Sequence, residues 1–255
     1  VMIPSYFGWI SAQLVALGMT LHLLLPIPTE MGIGIGAILV MTYTLLGGMW
    51  SITITDFLHN IILIIGLLFL AYLLMDKIPD FQVFINKQPP HFFQFTPKEN
   101  TWKDWLTYGA AWITIGLGSI PQQDIFQRVM SAKNQHIAAK ASLAAGAMYL
   151  TIAMLPLLIA LIAVRLYPSL LAEDTLLIPH LVLQFTPYGM QVLFLGALLS
   201  ALLSTTSGAI LAPASVLGEN LWKPLLKHPS DPQVLKVIRI SVILVTLACI
   251  WMAVE

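Results

Sequence analysis

An all-α membrane protein, a bundle of about seven spans, is the fold class that this sequence predicts. Three observations predict it. Hydrophobic residues make up 58% of the 255 and charged residues only 9%. Mean hydropathy is +0.86, and a soluble domain carries about 25% charged residues. Finally, apolar stretches recur at the length a bilayer demands, about 20 residues for a core roughly 30 Å thick. They cover residues 6–25, 32–48, 58–75, 105–120, 138–166, 188–213 and 235–254. The chain opens on Val-Met-Ile-Pro and closes just after an apolar run, which reads as an internal piece of a longer protein with no signal peptide in view.

The first span contains Gln13 and His22. The second opens with Gly32, Gly34 and Gly36. No strand precedes these glycines and an apolar run follows, so close helix packing explains them better than a phosphate loop. Asp56 stands just ahead of the third span. A carboxylate near membrane depth faces protein or water; it reads either as a helix-start charge or as an exit-side cation ligand. Residues 76–104 form an external loop, anchored at the interface by Phe92, Phe93 and Phe95.

The fourth span is poor helix, with Gly109, Gly116, Gly118 and Pro121 among β-branched residues. Breaks of this kind are tolerated at membrane depth only where the freed backbone groups find partners or line a cavity, and broken helices are where transporters bind solute. Tyr108, Trp112, Thr114 and Gln122 are its polar or aromatic candidates for solute binding, with Gln13 from the first span. Packing is the alternative role for each. Residues 122–134 are expected as a cytoplasmic surface helix and 168–184 as an external one. Arg128 either anchors a loop at the headgroups or pairs with Asp56 to close an inner gate.

The sixth span holds the most informative stretch, GALLSALLSTTSGAILAPASVLGEN, at 196–220. On a helix, Gly196, Ser200, Ser204 and Gly208 make one stripe and Ala197, Ala201, Thr205 and Ala209 the next, all small or hydroxylated. Close helix packing accounts for such a face. A second reading adds chemistry. The hydroxyls of Ser204 and Thr205, with an Ala201 carbonyl loosened by a local bend, offer half the oxygen shell that a hard cation needs.

With the loop after Gly48 taken as cytoplasmic, seven Lys and Arg gather on that side: Arg128, Lys133, Lys140, Lys223, Lys227, Lys236 and Arg239. Five lie opposite: Lys77, Lys87, Lys98, Lys103 and Arg165. The single cysteine, Cys249, excludes an intrachain disulfide and a thiolate cluster. Zero net charge without a basic stripe argues against nucleic acid. The motifs HExxH, GxSxG and a Walker lysine do not occur, so no enzyme is expected. A membrane enzyme using His22 or His59 is the weak rival.

Three motifs together resemble the sodium:solute symporter family: TYTLLGGMWSITITDF at 42–57, GSIPQQDIFQRVMSAKN at 118–134 and ALLSTTSGAILAPASVLGENLWKPLL at 201–226. With QLVALGMTL of the first span, the likeness covers nearly the whole chain. The resemblance implies a LeuT-like inverted-repeat bundle in which the seven spans are core helices three to nine, with the first, second and tenth missing. It implies a multi-pass protein of the plasma or inner membrane that couples a small organic solute to Na+ as the co-transported ion. In the family the shared sodium site joins the first core helix to the eighth, and the matching positions are Ala201, Ser204 and Thr205. Asp56 matches an aspartate tied to sodium coupling and release. Two positions depart from the pattern. His59 replaces a glutamine common among relatives, and Gln122 replaces a tryptophan of the choline branch. A quaternary ammonium calls for an aromatic cage, so the second departure argues against choline. A proton-coupled symporter or a non-transporting sensor of the same fold are the alternatives; the oligomeric state is left open.

Overall fold

The computed structural model describes residues 2–86, 88–89, 92, 94–97, 99–118, 122–168, 175–226 and 230–255, without the side chains of 2, 47–52 and 115. Lys87, Phe93, Lys98, Pro121 and Lys227, which entered the sequence reading, lie outside the described residues, as do residues 169–174 of the expected external surface helix. Among the described residues every regular element is helical.

The helices are α1 (Met2–Leu24), α2 (Thr29–Met75), α3 (Phe81–Asn86), α4 (Trp102–Gly118), α5 (Gln123–Met130), α6 (Gln135–Thr151), α7 (Met154–Leu166), α8 (Leu177–Phe185), α9 (Tyr188–Val216) and α10 (Asp231–Val254). Among the described residues six stretches are long and apolar enough to cross a membrane: Ile3–Leu24, Thr29–Leu46, Thr53–Met75, Gln135–Leu166, Tyr188–Leu225 and Asp231–Val254. The expected span at 105–120 becomes α4, a helix of 17 residues.

Local sequence starts several of these helices. Ser230 and Gln233 form a reciprocal capping box ahead of α10. The Asp80 carboxylate accepts from the backbone N–H of Gln82 and Val83 at the start of α3. Asn134 Oδ1 accepts from Ile137 N–H at the start of α6.

The chain divides into two compact units, one of Val1–Tyr72 and Met148–Glu255, the other of Leu73–Ala147. In the first, α1 packs along α9 and α10, and α9 against α10. Its core joins Ile10, Leu14, Leu17 and Leu21 of α1 to Ile33, Ala37 and Val40 of α2, Ala209, Ile210 and Ala214 of α9, and Val242, Val245 and Cys249 of α10. Ser11 Oγ donates to the Cys249 carbonyl at 3.0 Å, tying α1 to α10. α8, expected as a surface helix, buries Leu177, Pro179, Leu181 and Val182 and packs on α7 and α9.

The expected loop after Gly48 is absent, since helical backbone runs without a break through all 47 residues of α2. The axis nevertheless folds back. Tyr43 Oη and Thr55 Oγ1 are hydrogen bonded at 2.7 Å, whereas a straight helix would set residues 12 apart about 18 Å from one another. The glycine pair 47–48 falls between them, and glycines are a usual cause of sharp helix kinks. Two stretches long and apolar enough to cross a membrane, Thr29–Leu46 and Thr53–Met75, are therefore parts of one continuous helical segment.

In the second unit, the aromatic side chains of α4 form a row. Trp105 meets Tyr108 edge-on at 6.0 Å, and Tyr108 meets Trp112 at 6.2 Å. Tyr108 Oη donates to the Phe95 carbonyl, and Trp105 Nε1 to Asn100 Oδ1 at 2.7 Å, which ties the preceding loop down. Phe92 and Phe95 of that loop are exposed.

Candidate functional site

The sequence places the candidate cation ligands on α9, and packing separates them. Ser204 is 1% exposed, and its Oγ is buried without a hydrogen-bond partner. Thr205 is exposed and Ala201 half-buried. Ser204 is turned inward and Thr205 is exposed, although Ala197 and Ala209 on the same stripe as Thr205 are buried.

A buried hydroxyl without a partner is destabilising by about 1–3 kcal/mol, and most buried polar atoms avoid that state. Its neighbours do avoid it. Thr206 Oγ1 donates to the Leu202 carbonyl at 2.6 Å. Ser207 Oγ is hydrogen bonded to Thr44 Oγ1 of α2 at 2.8 Å, and Thr44 also reaches the Val40 carbonyl at 2.7 Å. Ser204 is thus the unsatisfied hydroxyl in a run of four.

The Thr44–Ser207 pair was missed by sequence reasoning. Ser207 lies one turn beyond Ser204 in the same hydroxyl run, but its partner is 163 residues away. Both groups are fully or nearly buried, which sets a clear expectation. Thr44→Val strands the Ser207 hydroxyl and destabilises by about 1–3 kcal/mol, whereas Ser207→Ala leaves Thr44 bonded to the Val40 carbonyl and costs less. The double variant recovers part of the loss, and a double-mutant cycle on unfolding measures the coupling.

Asp56 lies within α2 and not at a helix start, so the capping role is corrected. Helical hydrogen bonding continues through the reversal, and the amides around Asp56 need no side-chain cap. Its carbonyl accepts from Asn60 Nδ2 at 2.9 Å, and the residue is half-buried. His59 follows one turn later, half-buried, with Nδ1 shielded from solvent and unpartnered. Gln13 is half-buried on α1, beside the core line of Ile10, Leu14 and Leu17.

In the second unit Trp112, Thr114 and Gln122 are exposed. A cleft there is lined by Pro97, Glu99, Asp104, Thr107, Tyr108 and Ala111, a set that includes none of these three. Arg128 sits on α5 with Nη1 3.5 Å from Asp124 Oδ2, an exposed pair one turn apart on the same helix. α5 divides cleanly: Gln123, Asp124, Gln127 and Arg128 on one side, Ile125, Phe126, Val129 and Met130 on the other.

Among the described residues no group of three or more His, Cys, Asp and Glu could hold a metal ion. The oxygens available at Ser204 are neutral hydroxyls and carbonyls, a donor set suited to a hard monovalent cation and not to a transition metal.

The chain is 28% identical over 273 residues to a high-affinity choline transporter of Caenorhabditis elegans, a match covering 98% of this chain and 46% of that protein. It is 28% identical over 236 residues to sodium/proline symporter 2 of Staphylococcus saprophyticus, covering 85% of this chain and 43% of the relative. The chain spans less than half the length of these curated relatives. Among solved structures, a substrate-bound, outward-open Na+-coupled sialic acid symporter superposes with a TM-score of 0.78 at 18% identity, over 100% of this chain and 57% of that one. This likeness shows the fold, an all-α LeuT-like membrane bundle. The family model for sodium:solute symporters matches residues 2–255, and the chain belongs to the sodium:solute symporter family.

Proposed function

We propose that this chain is the central part of a sodium-coupled symporter that moves a small organic solute by alternating access and performs no catalysis of its own. The observation that carries the reading is Ser204. Its Oγ is 1% exposed and unpartnered, and it neighbours a second, exposed hydroxyl in a chain of this family. A sodium ion held by Ser204, Thr205 and the Ala201 carbonyl satisfies the stranded oxygen. The remaining ligands come from a helix laid over the Thr205 face, supplied by the part of the longer relatives that this chain does not match.

Sodium binding then favours the outward-open state and raises solute affinity, and both are released as the helix bundles rock. Trp112, Thr114 and Gln122 of the second unit are the proposed solute contacts. Asp56 acts on the exit side, drawing the cation off Ser204 and Thr205 towards the cytoplasm.

The test is flux through the full-length protein in proteoliposomes of the cell-membrane type, using labelled sodium and a panel of labelled choline, proline, glucose and sialic acid. Saturable sodium uptake, stimulated by one of these solutes and indifferent to a pH gradient, is expected. Solute accumulation driven by a pH gradient without sodium assigns proton coupling instead, and saturable binding of labelled sodium must then be absent. For Asp56→Asn, solute uptake is expected to fall about tenfold while the half-saturating external sodium shifts less than about threefold, since tenfold corresponds to roughly 1.4 kcal/mol on the release step alone. A large shift in external sodium affinity with unchanged maximal uptake would move Asp56 from the exit to the binding step.

A further inference from the structure

α9 carries the proposed cation site and also two departures from regular helix, both beyond Ser204 in the direction of the expected cytoplasmic end. The first is Pro213, inside the helix. Proline has no N–H, so the Ala209 carbonyl loses its helical donor. Ala209 is 4% exposed, so bulk water is a poor substitute. The second is a six-residue π-helical stretch, Leu217–Trp222, which runs straight on from α9. At the junction Leu217 N–H is shared between the Ala214 and Pro213 carbonyls. π turns are rare and tend to sit at functional positions.

Packing changes abruptly across these two points. Ala212, Pro213 and Ala214 are buried in the bundle, whereas Glu219 to Leu226 are exposed throughout. Gly218 alone in the π stretch is buried, in direct contact with Ile238 of α10, where a Cβ would overlap the isoleucine side chain. The far segment is stiffened within itself by Lys223 Nζ donating to Glu219 Oε2 at 2.5 Å. The arrangement is a short arm, tied within itself, weakly hydrogen bonded at its root and lying along α10, with its closest approach at Gly218.

We propose that Pro213 and the π stretch form a hinge, and that the arm Leu217–Leu225 swings about the Gly218–Ile238 contact to open and close the cation's way out beneath Ser204. The inference rests on the reading of Ser204 as a cation ligand and adds a moving part to it. A hinge here lets one helix end move while the buried segment 204–214 keeps the ligands in place. Local opening is drawn from segments with few buried contacts, and the arm is such a segment next to one that is not.

The experiment uses the full-length protein in a cysteine-free background that includes Cys249→Ala, with spin labels on Leu225→Cys and Leu235→Cys, exposed positions on the arm and on α10. Distances are read with and without sodium. The hinge predicts two distance populations whose ratio changes with sodium. Pro213→Ala restores the missing donor and straightens the helix. It is expected to collapse the distances to one population and to lower solute turnover about tenfold, with half-saturating sodium within about twofold of the parent. Pro213→Gly restores the same donor but keeps the backbone free to bend, and is expected to retain most of the turnover. Equal loss for Ala and Gly, or wild-type distances and turnover in Pro213→Ala, overturns the hinge. Failure of the cation reading looks different: Ser204→Ala then leaves sodium dependence untouched whatever the Pro213 variants do.

Discussion

Ser204→Ala in the full-length protein is expected to raise the sodium concentration that half-saturates uptake by tenfold or more, and at the same time to leave the sodium-free protein as stable or slightly more stable. The two signs follow from one atom. Without an ion, Ser204 Oγ is buried and unpartnered, so removing it relieves a penalty of about 1–3 kcal/mol. With an ion, the same oxygen is a ligand, and losing even 1.4 kcal/mol of binding is a tenfold loss of affinity. Thr205→Ala differs in a useful way. Its hydroxyl is exposed, so stability in the absence of sodium is unchanged, and sodium affinity falls by a similar factor. The double variant abolishes sodium-stimulated uptake. Uptake titrated against external sodium, with thermal unfolding measured in sodium-free buffer, separates these outcomes. A hydroxyl that serves only helix packing gives the opposite pattern: Ser204→Ala would leave a cavity, lower the melting temperature and spare sodium affinity.

The bundle was legible from hydropathy because membrane crossing is a matter of length and apolarity, and the segments around Ile10–Leu21, Ile33–Val40 and Val242–Cys249 supply both. The loop expected after Gly48 is instead a sharp bend within α2. What the residues concealed was that hydrogen bonding continues through it, which removes any need for Asp56 as a cap. The small-and-hydroxyl stripe found the right helix but treated Ser204 and Thr205 alike. Which of two neighbouring hydroxyls is covered depends on the direction from which α1 and α10 approach α9, and that is tertiary information. The same limit hid the Thr44–Ser207 pair. It hid the burial of α8 as well, whose short apolar run reads equally well as an interfacial helix. Pro213 was visible throughout. Its meaning emerged only beside the π stretch and the single buried glycine that follow it.

The glycines of the second span make the sharpest stability prediction, because two of them separated by one residue should respond with opposite sign. Gly32 faces α1, and a Cβ there would lie 2.7 Å from the Gly18 carbonyl oxygen and 3.1 Å from its Cα. Both are backbone atoms of a helix whose Leu17 and Leu21 are locked into the core, so neither can step aside without moving α1. Gly32→Ala is therefore expected to destabilise by about 1–3 kcal/mol, the usual range for overpacking, and Gly32→Val by more. Gly34 is two residues on, and a Cβ there meets nothing within 4 Å. Gly34→Ala removes the penalty of glycine in a helix interior and is expected to stabilise by about 0.5–1 kcal/mol. Thermal unfolding of the purified full-length variants in one detergent measures both. Equal effects would mean that α1 and α2 do not meet through Gly18 and Gly32. The core that presents Ser204 to the ion would then be assembled differently, because α1 packs on α2 and α9 together. The glycine pair thus tests, without any ligand, the same helix packing that leaves the serine oxygen buried and unpartnered.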